Sequence, residues 1–430
     1  MRLRPSRPPP VATTDAALRF SGWRILVLAI LAGALTGPGQ TIGVSVFVPH
    51  FVAELGLTDA SVAGAYMAGT LLGALTMPRL GGWIDSVGVR RGMTMIGLAF
   101  GAALVAMSGV WALLPLAVGF TFIRMFGQGA LTLVSSVAVS HWFERKRGLA
   151  IGIMTTSVAV LMSLVPVALN TGIEALGWRL AWISAGVVIW CTVVPIGWFG
   201  MIDRPEDVGQ ARDGHPRDPG GPTPASERSA TRAEALRTRA MWVAMAAVAT
   251  QSALLTALNF HQITLLGEAG LSSTEAALMF LPQVVGATAA SLTFGVLTDR
   301  LRGGLVLAAT MVLIALPLLL VRGLGGYPSV VTYAVLLGAA GGGLFTANAA
   351  LLPKWFGVGH IGAIGGVMSF VMVAGSAVGP LGLSMVRGAT GSFGAAAFGF
   401  VAIPAAVFVL ALLTPDPVVV DGRIRQAPGR

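Results

Sequence analysis

Polar and charged positions in this chain are gathered into short stretches. Between them the residues are almost wholly apolar for about 20 positions at a time, the length a helix needs to cross a bilayer. Twelve such runs are predicted as membrane-spanning helices. Six lie at 23–48, 60–80, 92–111, 115–140, 148–172 and 178–199. Six more lie at 241–266, 273–297, 303–322, 328–352, 359–386 and 391–413. Residues 203–239 interrupt the pattern with five prolines and seven Lys/Arg against seven Asp/Glu. Such a composition cannot bury a core and reads as a polar linker, with a short surface helix predicted between Thr231 and Arg239. The organisation is a cytoplasmic tail at 1–22, a six-helix bundle at 23–202, the linker at 203–239, a second six-helix bundle at 240–414 and a tail at 415–430.

The two bundles repeat one another. His141-Trp142-Phe143 returns 213 residues later as Lys354-Trp355-Phe356, and Ala150-Ile151-Gly152 returns as Ala363-Ile364-Gly365. Gly81-x-x-x-Asp85 is echoed by Gly295-x-x-x-Asp299, and the sixth run shifted by the same interval falls on the twelfth. An even number of helices per copy leaves both copies in the same orientation, a parallel repeat about an axis along the membrane normal. Charge sets the orientation. Of 28 lysines and arginines, 24 fall at the ends and loops that share a side with the N-terminus, and only Arg179, Arg322 and Arg387 fall opposite. The positive-inside rule then places both termini and the linker in the cytoplasm. The first run lacks a small-residue cleavage site and reads as a retained helix.

Composition agrees with a membrane-embedded, all-α protein. The chain is 55% hydrophobic and 11% charged, with a mean hydropathy of +0.80, whereas soluble domains carry roughly a quarter charged residues. The net charge of +10 sits in loops, so it reflects topology rather than a nucleic-acid surface. A single cysteine, Cys191, rules out a disulfide framework and a cysteine metal site. There is no phosphate-binding G-x-x-x-x-G-K-[ST] loop, no metal-ligand cluster and no acid deep in a span. An enzyme, a cofactor and ATP hydrolysis as energy source are therefore not expected.

Candidate chemistry is sparse inside the spans. Arg124 is a lone cation in the fourth run, and at 1.5 Å per residue it lies about 14 Å along it, near mid-bilayer. With no carboxylate partner in any span, it must be satisfied by carbonyls, by Gln40 or Gln128, by water or by an anionic solute. Its role is either binding and coupling or structural. Gly37-Pro38-Gly39 loosens the first helix beside Gln40 and Thr41, either lining a cavity or making an ordinary proline kink. Asn259, His261 and Gln262 cannot all face one way on a helix. His261 is either an interfacial residue or the titratable group of a proton relay. Gln283 and Asn348 are further polar candidates. Gly375 to Pro380 reads as a packing and bending element of the eleventh helix.

The loop from Gly81 through Asp85 to Arg90-Arg91 resembles the signature G-x-x-x-D-R-x-G-R-R of the major facilitator superfamily, with Ser86 and Val89 in place of the usual basic residues. The second copy keeps Gly295 and Asp299-Arg300, and Arg124-x-x-Gly127-Gln128-Gly129 resembles the superfamily's helix-4 arginine motif. Gly37 to Phe47, the His-Trp-Phe junction and Arg204-Pro-Glu-Asp-x-Gly209 look like the oxalate/formate-antiporter and monocarboxylate-porter branch. That branch's helix-1 lysine and its charges in helices 8 and 11 are missing. The fifth helix has no Gly-Pro-rich motif of the drug antiporters.

The resemblance implies two bundles rocking about a central cavity, with Asp85, Asp299, Arg90, Arg91 and Arg300 holding the cytoplasmic side shut. It implies secondary active transport of a small solute, an organic anion or monocarboxylate, with drug or metabolite efflux, or less readily a non-transporting receptor, as the alternatives. The expected partners are the solute, bilayer lipid and either a coupling proton or a counter-anion. Nucleic acid is not expected, and the protein is expected to be a monomer.

Overall fold

The computed structural model describes residues 20–144, 146–214, 230–357, 360–420 and 423–426. Most of the predicted N-terminal tail and the middle of the linker, 215–229, lie outside these. Each predicted run has its helix. The first bundle holds α1 (Gly22–Ser45), α2 (Asp59–Val87), α3 (Val89–Met107), α4 (Leu113–Trp142), α5 (Leu149–Leu176) and α6 (Trp178–Gly200). The second holds α7 (Arg239–Phe260), α8 (Ser273–Arg300), α9 (Gly303–Gly323), α10 (Tyr327–Phe356), α11 (Ala363–Thr390) and α12 (Phe393–Leu412). All twelve are long and apolar enough to cross a membrane. Their outward faces carry Leu114, Phe199, Phe345 and Phe370 largely exposed, a surface suited to lipid and not to water. Beyond α12 the backbone makes one departure from the all-helical expectation, an antiparallel ribbon of β1 (Pro417–Val420) and β2 (Arg423–Gln426). The predicted surface helix of the linker is present as Arg232–Leu236, capped by Thr231 and Glu234 bonding each other's backbone.

Two spans are broken where the site needs them broken. α1 stops at Ala34, makes a 3-10 turn over Gly37–Gly39, passes through extended backbone at Gln40 and restarts at Thr41. That is a full interruption, more than the kink a proline alone requires. α4 widens into a π-helix from Arg124 to Leu131, a turn type that recurs at functional sites.

Small residues set the tightest helix contacts. A Cβ on Gly379 would overlap Ala253 O, and one on Gly375 would meet Ala249 O at 2.7 Å, so α11 lies directly on α7, as the glycine-proline pattern implied. The same chemistry joins α8 to α10, where a Cβ on Gly338 or Gly342 would overlap Gln283 O or Ala287 O. Gly81 and Gly295, by contrast, do not serve close packing. A Cβ on Gly81 would reach only Leu133 at 3.7 Å, and one on Gly295 would meet nothing within 4 Å.

The repeat runs past the spans into two anionic caps. Just after α6, Asp203 Oδ1 accepts from Arg90 N at the start of α3 (2.8 Å). Gly88, at φ +88°, brings the backbone within reach, and a Cβ there would lie 2.7 Å from that oxygen. Just after α12, Asp416 accepts from Gly303 N (2.8 Å) and Gly304 N (3.3 Å) at the start of α9. A carboxylate at a helix N-terminus satisfies orphan amides and meets the positive end of the dipole.

Candidate functional site

Arg124 lies where α1, α2 and α4 cross. Gly39 and Gly127 let α1 and α4 meet with almost no side-chain spacing: a Cβ on either would be 3.2 Å from the other's Cα. The break in α1 turns Gly39 O toward the guanidinium, and Arg124 Nη1 donates to it at 3.3 Å. From α2, Thr70 Oγ1 accepts from Nε at 3.1 Å. One turn earlier Tyr66 puts its ring 4.7 Å beneath the guanidinium carbon. Residues four apart share a helix face, so Tyr66 and Thr70 act together. Arg124 is 3% exposed. Its Nη2 has no hydrogen-bond partner and it forms no ion pair among the described residues.

The polar residues singled out from the sequence divide into three groups. Thr41 joins the Arg124 site through Tyr66, its Oγ1 lying 2.6 Å from the phenol oxygen. Gln40 and Gln128 do not satisfy Arg124. Gln40 Nε2 donates to Thr36 (3.2 Å), and Gln128 Oε1 is buried without a partner among the described residues. The second group is structural: Gln283 Nε2 donates to Gln262 Oε1 (2.7 Å), and Gln262 Nε2 donates to Ala276 O (3.0 Å). This buried chain fastens α8 to the segment after α7. Among the described residues Asn348, half-buried, has no partner, and the buried Oδ1 of Asn259 has none either.

His261, the third case, does not face the protein surface. It is fully enclosed, with Nε2 at 2.8 Å from Ser384 Oγ and 3.2 Å from Pro380 O on α11. Sequence reasoning missed Tyr66, Thr70 and Gln251. The last is buried on α7, its Nε2 bonded to Ala340 O and its Oε1 unpartnered. A glutamine deep in an apolar run was a readable signal. Tyr66 and Thr70 gave none, because their part depends on which helix α2 faces.

The bundles touch most specifically at the end opposite the termini. Arg387, in the last turn of α11, pairs with Asp59 at the start of α2 (2.5 Å) and with Glu268 just after α7 (2.9 Å). Thr274 at the head of α8 meets Glu174 (2.6 Å) and Asn170 (2.9 Å) of α5. Tyr66 packs against Phe260 of α7, with centroids 4.6 Å apart and the rings tilted by 53°.

The sequence profile of the Major Facilitator Superfamily matches residues 26–282 and again 257–429. The chain belongs to the major facilitator superfamily. Two solved structures of a bacterial homolog of the human lysosomal transporter Spinster share the fold. Both are inward-facing, one occupied and one unoccupied, and each has a TM-score of 0.67 at 16% identity. They cover 92% and 94% of this chain and 95% and 96% of theirs. A probable sulfoacetate transporter, SauU, of Cupriavidus necator is 28% identical over 149 residues, and the match spans 34% of each chain.

Among the described residues the superfamily's signature loops make no ion pair. Arg90 bonds Trp198 O through Nε (2.7 Å) and lies over the Trp198 ring on α6. Arg91, Asp299 and Arg300 are exposed and unbonded among the described residues. Asp85 sits in the last turn of α2, and its side chain lies outside what is described. Lys354, in the second Trp-Phe junction, donates to Thr298 O within its own half (2.6 Å).

Proposed function

We propose that this protein is a secondary transporter of a small organic anion, working by alternating access as a monomer with both termini in the cytoplasm. One observation carries the anion: among the described residues a buried, mid-span guanidinium has no carboxylate partner and keeps one nitrogen free. An isolated buried cation is strongly unfavourable unless paired, and a carboxylate or sulfonate presents the planar or tripodal oxygens that a guanidinium binds best. The other half offers amides but no opposing charge inside its spans among the described residues. That a relative is named a probable sulfoacetate transporter supports the same chemistry. Under the positive-inside orientation, the Arg387 contacts close the outer side while the cytoplasmic loop residues stay apart, so the pathway opens inward.

A thermal-shift screen of the purified protein against carboxylates, sulfonates, sugars, amino acids and cationic drugs tests this, because a ligand stabilises by mass action. Organic anions should raise the melting temperature, and Arg124→Gln should abolish the shift. Stabilisation by cationic drugs with no response to anions would replace this reading with drug efflux.

A further inference from the structure

His261 is a buried base with one nitrogen left over. Ser384 Oγ donates to Pro380 O (2.8 Å). Pro380 O accepts only, so the contact from Nε2 at 3.2 Å is a hydrogen bond in the tautomer that carries the hydrogen on Nε2. In that neutral tautomer Nδ1 is a bare lone pair, enclosed and without a partner among the described residues. One face of the ring packs on Phe393, with centroids 4.9 Å apart. Phe393 in turn lies under the Arg387 guanidinium, 4.6 Å from ring centre to carbon. Arg387 is the residue that ties the halves through Asp59. A continuous stack thus leads from a buried base to the outer contact between the bundles.

We propose that His261 is the proton-binding site of the outer-open conformation, filling at Nδ1 when the Arg387–Asp59 pair parts and emptying before it closes. In the closed arrangement a second proton would have no acceptor at Nδ1, and the imidazolium would face Arg387 across a single ring. The other charges near this stack are Glu268 and Asp59, both engaged by Arg387, and Arg322, which lines a recess with Glu268 and Phe393. Opening breaks this cover and lets water reach the ring. The proton passes from outer water to Nδ1, while the Nε2 hydrogen stays on Pro380 O. Because the proton binds one conformation only, it must favour that conformation. Acid on the outer side therefore shifts the protein toward outer-open. The inference needs alternating access but not the anion reading, and it is tested without any solute.

Leu381 on α11 packs toward Gly64 of α2, 3.9 Å from where a Cβ would stand there, and is half-buried in this arrangement, so parting of α2 from α11 would expose it further. Leu381→Cys in a Cys191→Ser background would be labelled from outside with a membrane-impermeant thiol reagent. Rates are normalised at each pH to Glu54→Cys, an exposed position. Labelling should rise several-fold as the outer pH falls from about 8 to about 5.5, the range in which an imidazole titrates. It should become flat in His261→Gln, whose amide still donates to Pro380 O. His261→Asn is read in the same way if the glutamine variant melts early. Asp59→Asn should shift the level but keep the slope. A flat response in the parent, or an unchanged slope in the His261 variants, overturns the proposal.

Discussion

At the scale of single residues, Arg124 separates two roles that its position alone leaves open. As the anion's partner, it contributes charge-assisted hydrogen bonds of about 1.5–3 kcal/mol. Arg124→Gln should then weaken solute binding about 10- to 100-fold, while the melting temperature holds or rises because a buried charge is gone. Arg124→Lys keeps the charge but loses the fork, so uptake should fall with folding intact. Melting temperature measured beside uptake decides. If both variants lose stability in step with uptake, the guanidinium serves Gly39 O and Thr70 rather than a solute. Tyr66→Phe keeps the ring under Arg124 but removes the bond to Thr41. It should lower uptake less than either Arg124 variant. Arg124 could be found in the sequence because a charge stands out in an apolar run. The hydroxyl and ring that hold it were not visible, since Thr and Tyr are ordinary in a membrane helix and their partner lies 54 and 58 positions away in the chain.

At the scale of elements, α11 rests on α7 through Gly375 and Gly379. Gly379→Val drives a side chain into Ala253 O and should destabilise the second bundle by about 1–3 kcal/mol, read as a lower melting temperature. Gly295→Ala meets open space and should leave the melting temperature unchanged. The paired caps make a matched test. Asp203→Ala frees Arg90 N, and Asp416→Ala frees Gly303 N and Gly304 N. Each should cost about 1 kcal/mol, and the two should add because they lie in different halves. A small-residue pattern can be read from a chain, but which glycine actually touches a neighbour cannot. Gly81 and Gly379 look alike in sequence, and only one of them lies in a tight crossing.

At the scale of the whole molecule, the outer tie is the prediction that matters most. Arg387→Gln removes the only described ion pair between the halves and leaves Asp59 and Glu268 facing each other. The pair is partly solvated, so the effect should be about 1 kcal/mol, roughly a fivefold gain in the outer-open population. Cysteine accessibility at Leu381→Cys reads it directly. Unchanged labelling would mean that packing between α2 and α11, rather than charge, closes this side. For topology, cysteines at Ser6, Ser226 and Ala427 in the Cys191→Ser background should resist an impermeant thiol reagent in intact cells. Labelling of any of them from outside would reverse the orientation.

The chain by itself determined the number of spans, their doubling and the polar linker. These follow from local composition: a bilayer tolerates only runs whose backbone is bonded internally and whose side chains are apolar. It also marked Arg124 and His261, because a titratable group in such a run stands out. Tertiary structure alone decided what each of them meets. Arg124 is held by the broken backbone of α1 and by one face of α2, not by Gln40 or Gln128. His261 is sealed against α11 instead of facing the protein surface. The loop residues Arg90, Asp299 and Arg300 remain apart between the halves, and an arginine that counted only toward topology, Arg387, joins them. The reason is physical. Hydropathy is a property of each segment, but a contact between bundles depends on rotation about helix axes and on which end of the molecule is closed, and neither leaves a trace in local composition.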